Sequence, residues 1–229
     1  MESACLPVLD TAMTNRRSKT EAIGPGQWVA AARALLVAQG IEAVKVDRIA
    51  RRLGVTRGGF YWHFRSRQAL LDRLLAEWEE TSIIPFAQLD SAKPDLESQI
   101  LQLFLFWLQS KAFDARYDSA IRDWARKSPR VRRAVHKADQ RRVAFITGMF
   151  GAAGYPPREA EIRARVLYYT QIGYYALDVE EPEEVRIPLA APYYEVFTGR
   201  KLSRGALRAD GPFGRAIAAW RRRWRAGHG

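Results

Sequence analysis

Between Gln27 and Gln39 the apolar residues Trp28, Ala31, Ala32, Leu35 and Leu36 return every three or four positions, the period of one helix face. Gly40 stops that pattern. Val46, Ile49, Ala50 and Leu53 repeat it over a shorter stretch. Gly54-Val55 then predicts a tight turn, with Thr56 as candidate cap of a third short helix through Phe64. Ser66 is the candidate cap of a fourth helix, whose inward stripe is Leu71, Leu74, Leu75 and Trp78. Pro85 and the stretch 91–94 predict a loosening, so a boundary is expected near 80–85. Further helices are expected over Leu96–Lys111, Phe113–Ala125, Arg130–Phe150, Pro157–Asp178 and Glu183–Thr198, with Pro188 and Pro192 as candidate breaks in the last, and a short one over Phe213–Arg225. No segment alternates as a strand does. The predicted fold is all-α: a flexible arm (1–24), a three-helix head containing a helix-turn-helix (25–82), a helical bundle (83–200) and a tail (201–229).

Composition sharpens this. Of 229 residues, 48% are hydrophobic, enough for a packed core. The net charge of +12 is unevenly spread: +6 over residues 1–73, −2 over 74–199 and +8 over 200–229. A basic head and a basic tail flank an ordinary middle, which points to a polyanionic partner at the head. Cys5 is the single cysteine, and His63, His136 and His228 are scattered, so neither a disulfide nor a metal site is expected. No nucleophile–base pair or phosphate loop suggests an enzyme, and no cofactor is called for. The N-terminus lacks the basic start of a secretory signal, and no apolar run reaches the roughly 18–20 residues that span a bilayer. A cytoplasmic protein with no membrane partner is the expectation.

Residues 27–78 carry the informative chemistry. Two short helices joined by a glycine turn form the device that lays its second helix in the major groove of DNA. Ile49, Ala50, Leu53, Val55, Phe60 and Phe64 supply the apolar lock. Arg57, Tyr61, Trp62 and His63 fall on the outward face, His63 with the alternative of packing between helices. Lys45, Arg48 and Arg67 are candidate phosphate donors, Arg48 equally a solvated charge. The run Arg16–Lys19 reads as a solvated tail or as an arm reaching a minor groove, and Arg221–Arg225 as a solubilising end or as extra phosphate contact.

The run Ile49-Ala50-Arg51-Arg52-Leu53-Gly54-Val55-Thr56-Arg57-Gly58-Gly59-Phe60-Tyr61-Trp62-His63-Phe64, continued by Arg65-Ser66-Arg67-Gln68-Ala69-Leu70-Leu71, resembles the signature of the tetracycline-repressor (TetR) family. The resemblance spans roughly residues 25–78. It implies a homodimeric transcriptional regulator binding double-stranded DNA at an inverted-repeat operator, usually as a repressor released by a small-molecule effector. Non-repressing members and a non-specific architectural protein are the alternatives. It adds Thr56, Gly58 and Gly59 to the expected DNA face. Two positions depart from the family: Lys45 stands where a capping Thr or Ser is usual, and Gly59 where Thr or Ser is common. For the body the resemblance implies a ligand-binding and dimerisation unit. Trp107, Tyr117, Arg122, Trp124, Phe145, Tyr168 and Gln171 are the candidate effector contacts. Ile162, Val166, Tyr169, Gly173 and Leu177, with Tyr193, Tyr194 and Phe197, are the candidate dimer face; an intrachain core is the alternative.

Overall fold

The computed structural model describes residues 23–88, 95–108, 114–179 and 181–206, with a few isolated positions beyond 207. The expected N-terminal arm with Arg16–Lys19, the loosening at 91–94, Phe113, the Phe213–Arg225 helix and the Arg221–Arg225 run lie largely or wholly outside them. The described residues are helical, without strands: α1 Pro25–Gln39, a single 3-10 turn Ile41–Ala43, α2 Val46–Leu53, α3 Arg57–Tyr61, α4 Arg67–Gln88, α5 Leu96–Leu108, α6 Ala115–Lys127, α7 Pro129–Ala152, α8 Pro157–Ala176 and α9 Glu183–Thr198. The chain is an all-α protein with a helix-turn-helix head and a helical body.

Local chemistry sets the ends of these helices. Pro25 opens α1, where its missing N–H costs nothing, and the Gln27 side chain reaches back to accept from the Gly24 amide at 2.8 Å. Gly54 ends α2 at φ +68°, a left-handed conformation that favours glycine, and the Val55 amide closes the turn on the Ala50 carbonyl at 3.0 Å. Ser66 caps α4 as expected, its Oγ accepting from the Ala69 amide at 3.1 Å. Thr56 sits at the cap of α3, but its hydroxyl makes no capping bond, a correction to the sequence reading. Asp114 and Ser128 cap α6 and α7.

Two proline expectations change. Helix α4 does not loosen at Pro85; it continues to Gln88, through the 82/83 boundary. Helix α9 is unbroken by Pro188 and Pro192. These two lie four residues apart, on one side of the helix, and are both exposed.

The head does not have a core of its own. One apolar cluster runs from Trp28, Leu36, Ile49, Phe60 and Leu74 into Tyr117, Ile121, Trp124 and Val135 of α6 and α7. A second joins α5, α7, α8 and α9 through Ile100, Leu103, Phe150, Leu167 and Tyr194. At the junction lies a buried polar network. Trp78 Nε1 of α4 donates to Asp118 Oδ1 of α6 at 3.0 Å. Arg122 Nε donates to Asp118 Oδ2 at 2.6 Å, and its two terminal nitrogens clasp Asp139 of α7 at 2.9 and 2.8 Å. Tyr168 of α8 donates to Asp139 Oδ1 at 2.6 Å and accepts from Arg142 of α7 at 2.9 Å. The Arg142 guanidinium lies 5.5 Å from the Trp78 ring centre, and Arg142 and Asp118 are only 2% and 1% exposed. Two arginines face two aspartates, so the buried charge cancels, which such burial requires.

Desolvation pushes the Asp139 carboxyl upward, but the bonds and charge of Arg122, with the Tyr168 hydroxyl and Arg142, outweigh it and hold the group below the usual carboxylate range. A depressed carboxylate contributes stability that is complete above its unfolded pKa, about 3.9, and is lost as pH falls through the lower folded value. Urea unfolding followed from pH 6 to pH 3 should therefore show stability dropping below about pH 4, and Asp139→Asn, less stable at pH 6, should lose part of that slope. Equal slopes for the two proteins would remove Asp139 from this account.

Candidate nucleic-acid interface and body cavity

Helix α3 is only five residues long, and the aromatic packing beneath it holds it in place. Phe60 is fully buried, edge-on to Trp28 at 5.4 Å and stacked on Phe64 at 5.4 Å. The Phe64 amide bonds to the Phe60 carbonyl at 2.9 Å, so a turn continues beyond the end of the helix. This anchoring turns the other side outward. Tyr61 is 51% exposed and Trp62 88% exposed, and His63 and Arg57 are exposed beside them. Arg57 is partly organised: it donates to the Tyr61 hydroxyl at 3.3 Å and lies 3.6 Å from Asp47 of α2. The side chains of α2 and α3 are thereby presented as one surface.

The remaining candidates divide. Lys45 and Thr56 are exposed, and Gly58 has room above it with only the Thr56 hydroxyl nearby. Arg48 is half-buried and donates to Gln39 at 2.5 Å. Arg67 is tied into the backbone of the head. Its Nε donates to the Val44 carbonyl at 2.6 Å and one terminal nitrogen to Ile41 at 3.1 Å, pinning the first turn of α4 to the 3-10 turn. Gly59 is half-buried. A Cβ there would point toward α1, 3.8 Å from Trp28 Cζ2. Arg51, Arg52 and Arg65 are exposed cations of the same head that the sequence reading did not single out.

The body contains a cavity of about 60 Å³ between α5, α8 and α9. Of the seven expected effector residues, Trp107 and Gln171 line it. The other five do not. Tyr117 is buried at the head–body junction, its hydroxyl donating to the Leu74 carbonyl at 2.8 Å, and Trp124 belongs to the same cluster. Arg122 and Tyr168 are held in the buried network, and Phe145 packs in the lower core. Unanticipated wall residues are Phe104, Tyr174, Glu181, Arg186, Tyr193 and Phe197. Their signal was available on α8, where Leu167, Gln171 and Tyr174 repeat at helical spacing on the face opposite the dimer candidates.

Those dimer candidates also split. Ile162, Val166, Tyr169 and Leu177 stand 47–77% exposed along α8, with half-buried Gly173 among them and nothing within 4 Å of where its Cβ would be. Tyr194 and Phe197 are instead buried in the chain's own core, and Tyr193 stacks on Phe197 at 5.5 Å in the cavity wall. Val185 and Val196 add exposed apolar positions on α9. Among the described residues there is no acidic or histidine cluster fit for a metal, and no helix is long and apolar enough to cross a membrane.

Comparison with known proteins agrees with this geometry. Residues 29–74 match the family model described as bacterial regulatory proteins, tetR family. The HTH-type transcriptional regulator SrpR of Pseudomonas putida is 48% identical over 46 residues, 20% of this chain and 22% of that protein. The chain thus matches less than a quarter of that relative's length, all of it within the head. Over the body the likeness is one of fold. Salmonella enterica GusR superposes with a TM-score of 0.59 at 19% identity, covering 76% of this chain and 93% of that one. AmtR of Mycobacterium smegmatis does so with a TM-score of 0.55 at 19% identity, covering 91% and 97%. Residues 29–74 thus carry the helix-turn-helix domain described for bacterial regulatory proteins of the tetR family, and the body shares its fold with these solved structures.

Proposed function

We propose that this protein is a sequence-specific, DNA-binding transcriptional regulator, a repressor that binds an inverted-repeat operator as a homodimer and is released by a small-molecule effector. The observation that carries the reading is the surface of α3. A tryptophan 88% exposed beside an exposed tyrosine and arginine, on a helix fixed from beneath, is an unfavourable surface unless a partner covers it. Arg57 is the candidate base reader, since its fork suits guanine in the major groove. Tyr61, Trp62 and His63 flank it, and Lys45 with the exposed arginines of α2 supplies phosphate contact. Arg67 acts at one remove in this reading, by holding the start of α4.

The exposed stripe Ile162, Val166, Tyr169 and Leu177 supports dimerisation through α8, joined by α9. Two heads related by a twofold axis would then meet successive major grooves about 34 Å apart. The effector reading rests on the cavity and on α4, which runs from the head into the body network. A ligand that shifts the body helices moves α4 through Trp78, changing the separation of the two heads. A coupling of about 1–3 kcal/mol suffices for such a switch.

Replacing Arg57 with Ala should weaken binding to an operator fragment, selected from genomic DNA, by roughly ten- to hundredfold, while binding to a scrambled duplex changes much less. Equal losses on both duplexes would demote Arg57 from base reader to phosphate contact. For the dimer, sedimentation at micromolar concentration should give twice the chain mass, and Val166→Asp should give the monomer, since a charge in a buried apolar face is unfavourable. A native chain that sediments as a monomer would contradict the assignment.

A further inference from the structure

The cavity between α5, α8 and α9 holds two polar atoms that the protein itself leaves unanswered. Gln171 is 92% buried, being 8% exposed, and its Nε2 donates to no partner within bonding geometry. The Gln171 amide also meets the Tyr175 hydroxyl, while Nε2 is left without a partner. Glu181 is half-buried, but its Oε2 is shielded from solvent and accepts from none. Both Gln171 and Glu181 line the same cavity. Such orphans are rare in folded proteins, and when they converge on one empty space they describe what would fill it.

The hydroxyls in the wall, those of Thr170, Tyr174 and Tyr193, are already engaged. The hydroxyls of Tyr174 and Tyr193 bond each other at 2.7 Å, and the Arg186 guanidinium lies 5.4 Å from the centre of the Tyr174 ring. An occupant must therefore present an acceptor to Gln171 Nε2 and a donor to Glu181 Oε2. Trp107, Tyr174, Tyr193 and Phe197 give the remaining wall flat aromatic faces. These favour a planar ring. The space amounts to about four or five waters, room for one ring and a small substituent. Charge narrows the choice further. The Glu181 carboxylate opposes an anion at the donor side, and Arg186 opposes a full cation, which leaves a neutral molecule.

We propose that this cavity binds a neutral, single-ring aromatic amide, its carbonyl accepting from Gln171 Nε2 and its N–H donating to Glu181 Oε2. The proposal rests on the reading of the body as the effector-binding unit and gives that effector a chemical class. Three near-isosteric probes separate the alternatives: benzamide carries both donor and acceptor, benzoate only acceptors with a negative charge, and benzamidine only donors with a positive charge.

The test is a ligand-observed NMR titration of the full chain with each probe. Benzamide should saturate in the millimolar range, with benzoate and benzamidine at least about tenfold weaker. Gln171→Leu should weaken benzamide by about tenfold, with an unchanged circular dichroism spectrum showing that the fold persists. Glu181→Gln keeps an acceptor but removes the charge; it should retain benzamide and bring benzoate to within a few-fold of it. The proposal is overturned if benzoate or benzamidine binds the native chain as tightly as benzamide, if Gln171→Leu changes nothing, or if no probe binds below 20 mM. Duplex binding measured on the same protein without probe keeps the outcomes apart: its loss would strike the regulatory reading, whereas failed occupancy with DNA binding intact would strike only the ligand class.

Discussion

The indole N–H of Trp78 bonded to the buried carboxylate of Asp118 is the contact on which the remaining architecture depends. Trp78 belongs to the helix that leaves the head, and Asp118 to the body. Behind Asp118 stand Arg122, Arg142, Asp139 and Tyr168, drawn from three helices and bonded to one another. Each charge taken singly would be costly to bury, and together they are tolerable only in register. A displacement of α4 relative to α6 and α7 therefore has two outcomes: the Trp78–Asp118 bond and the Tyr117–Leu74 bond beside it are kept, or both are lost. That discreteness makes a junction useful as a switch.

Above the junction, rigidity and exposure are complementary. Trp28, Phe60 and Phe64 fix α3 by aromatic packing, and Arg67 ties α4 to the 3-10 turn before α2. The head can therefore hold Tyr61 and Trp62 in water without losing its shape. Below the junction, α8 is two-sided. One face carries Gln171 and Tyr174 toward the cavity, and the other shows Ile162, Val166 and Tyr169 to solvent. A ligand on one face of α8 and a second copy on the other would bear on the same helix.

The head was legible because its signals are local. The stripe Val46–Ile49–Ala50–Leu53, the left-handed glycine at 54 and the serine cap at 66 each act within a few residues, and the outward set around Arg57 followed from them. The contacts of Arg67 with Val44 and of Gly59 with Trp28 were not legible, because these partners are distant in sequence. The body's helices were legible by period, but the roles of its aromatics were not. Trp107 and Trp124 look alike along the chain, yet one lines a cavity and the other packs against the head. Arg122 illustrates the same limit. Its bond to Asp118 lies one helical turn away, while the clasp on Asp139 depends on how α6 and α7 pack. Proline misled where exposure decided: α9 carries Pro188 and Pro192 on solvent-facing positions and stays whole.

If the junction binds head and body into one body, they must melt together. Differential scanning calorimetry of the full chain, with near-ultraviolet circular dichroism as a second probe, measures this directly. One transition seen equally by both probes is expected, moved as a unit to lower temperature by Trp78→Phe, which keeps an aromatic ring and deletes the N–H. Two resolved transitions in the native chain, with the substitution moving one of them alone, would contradict it.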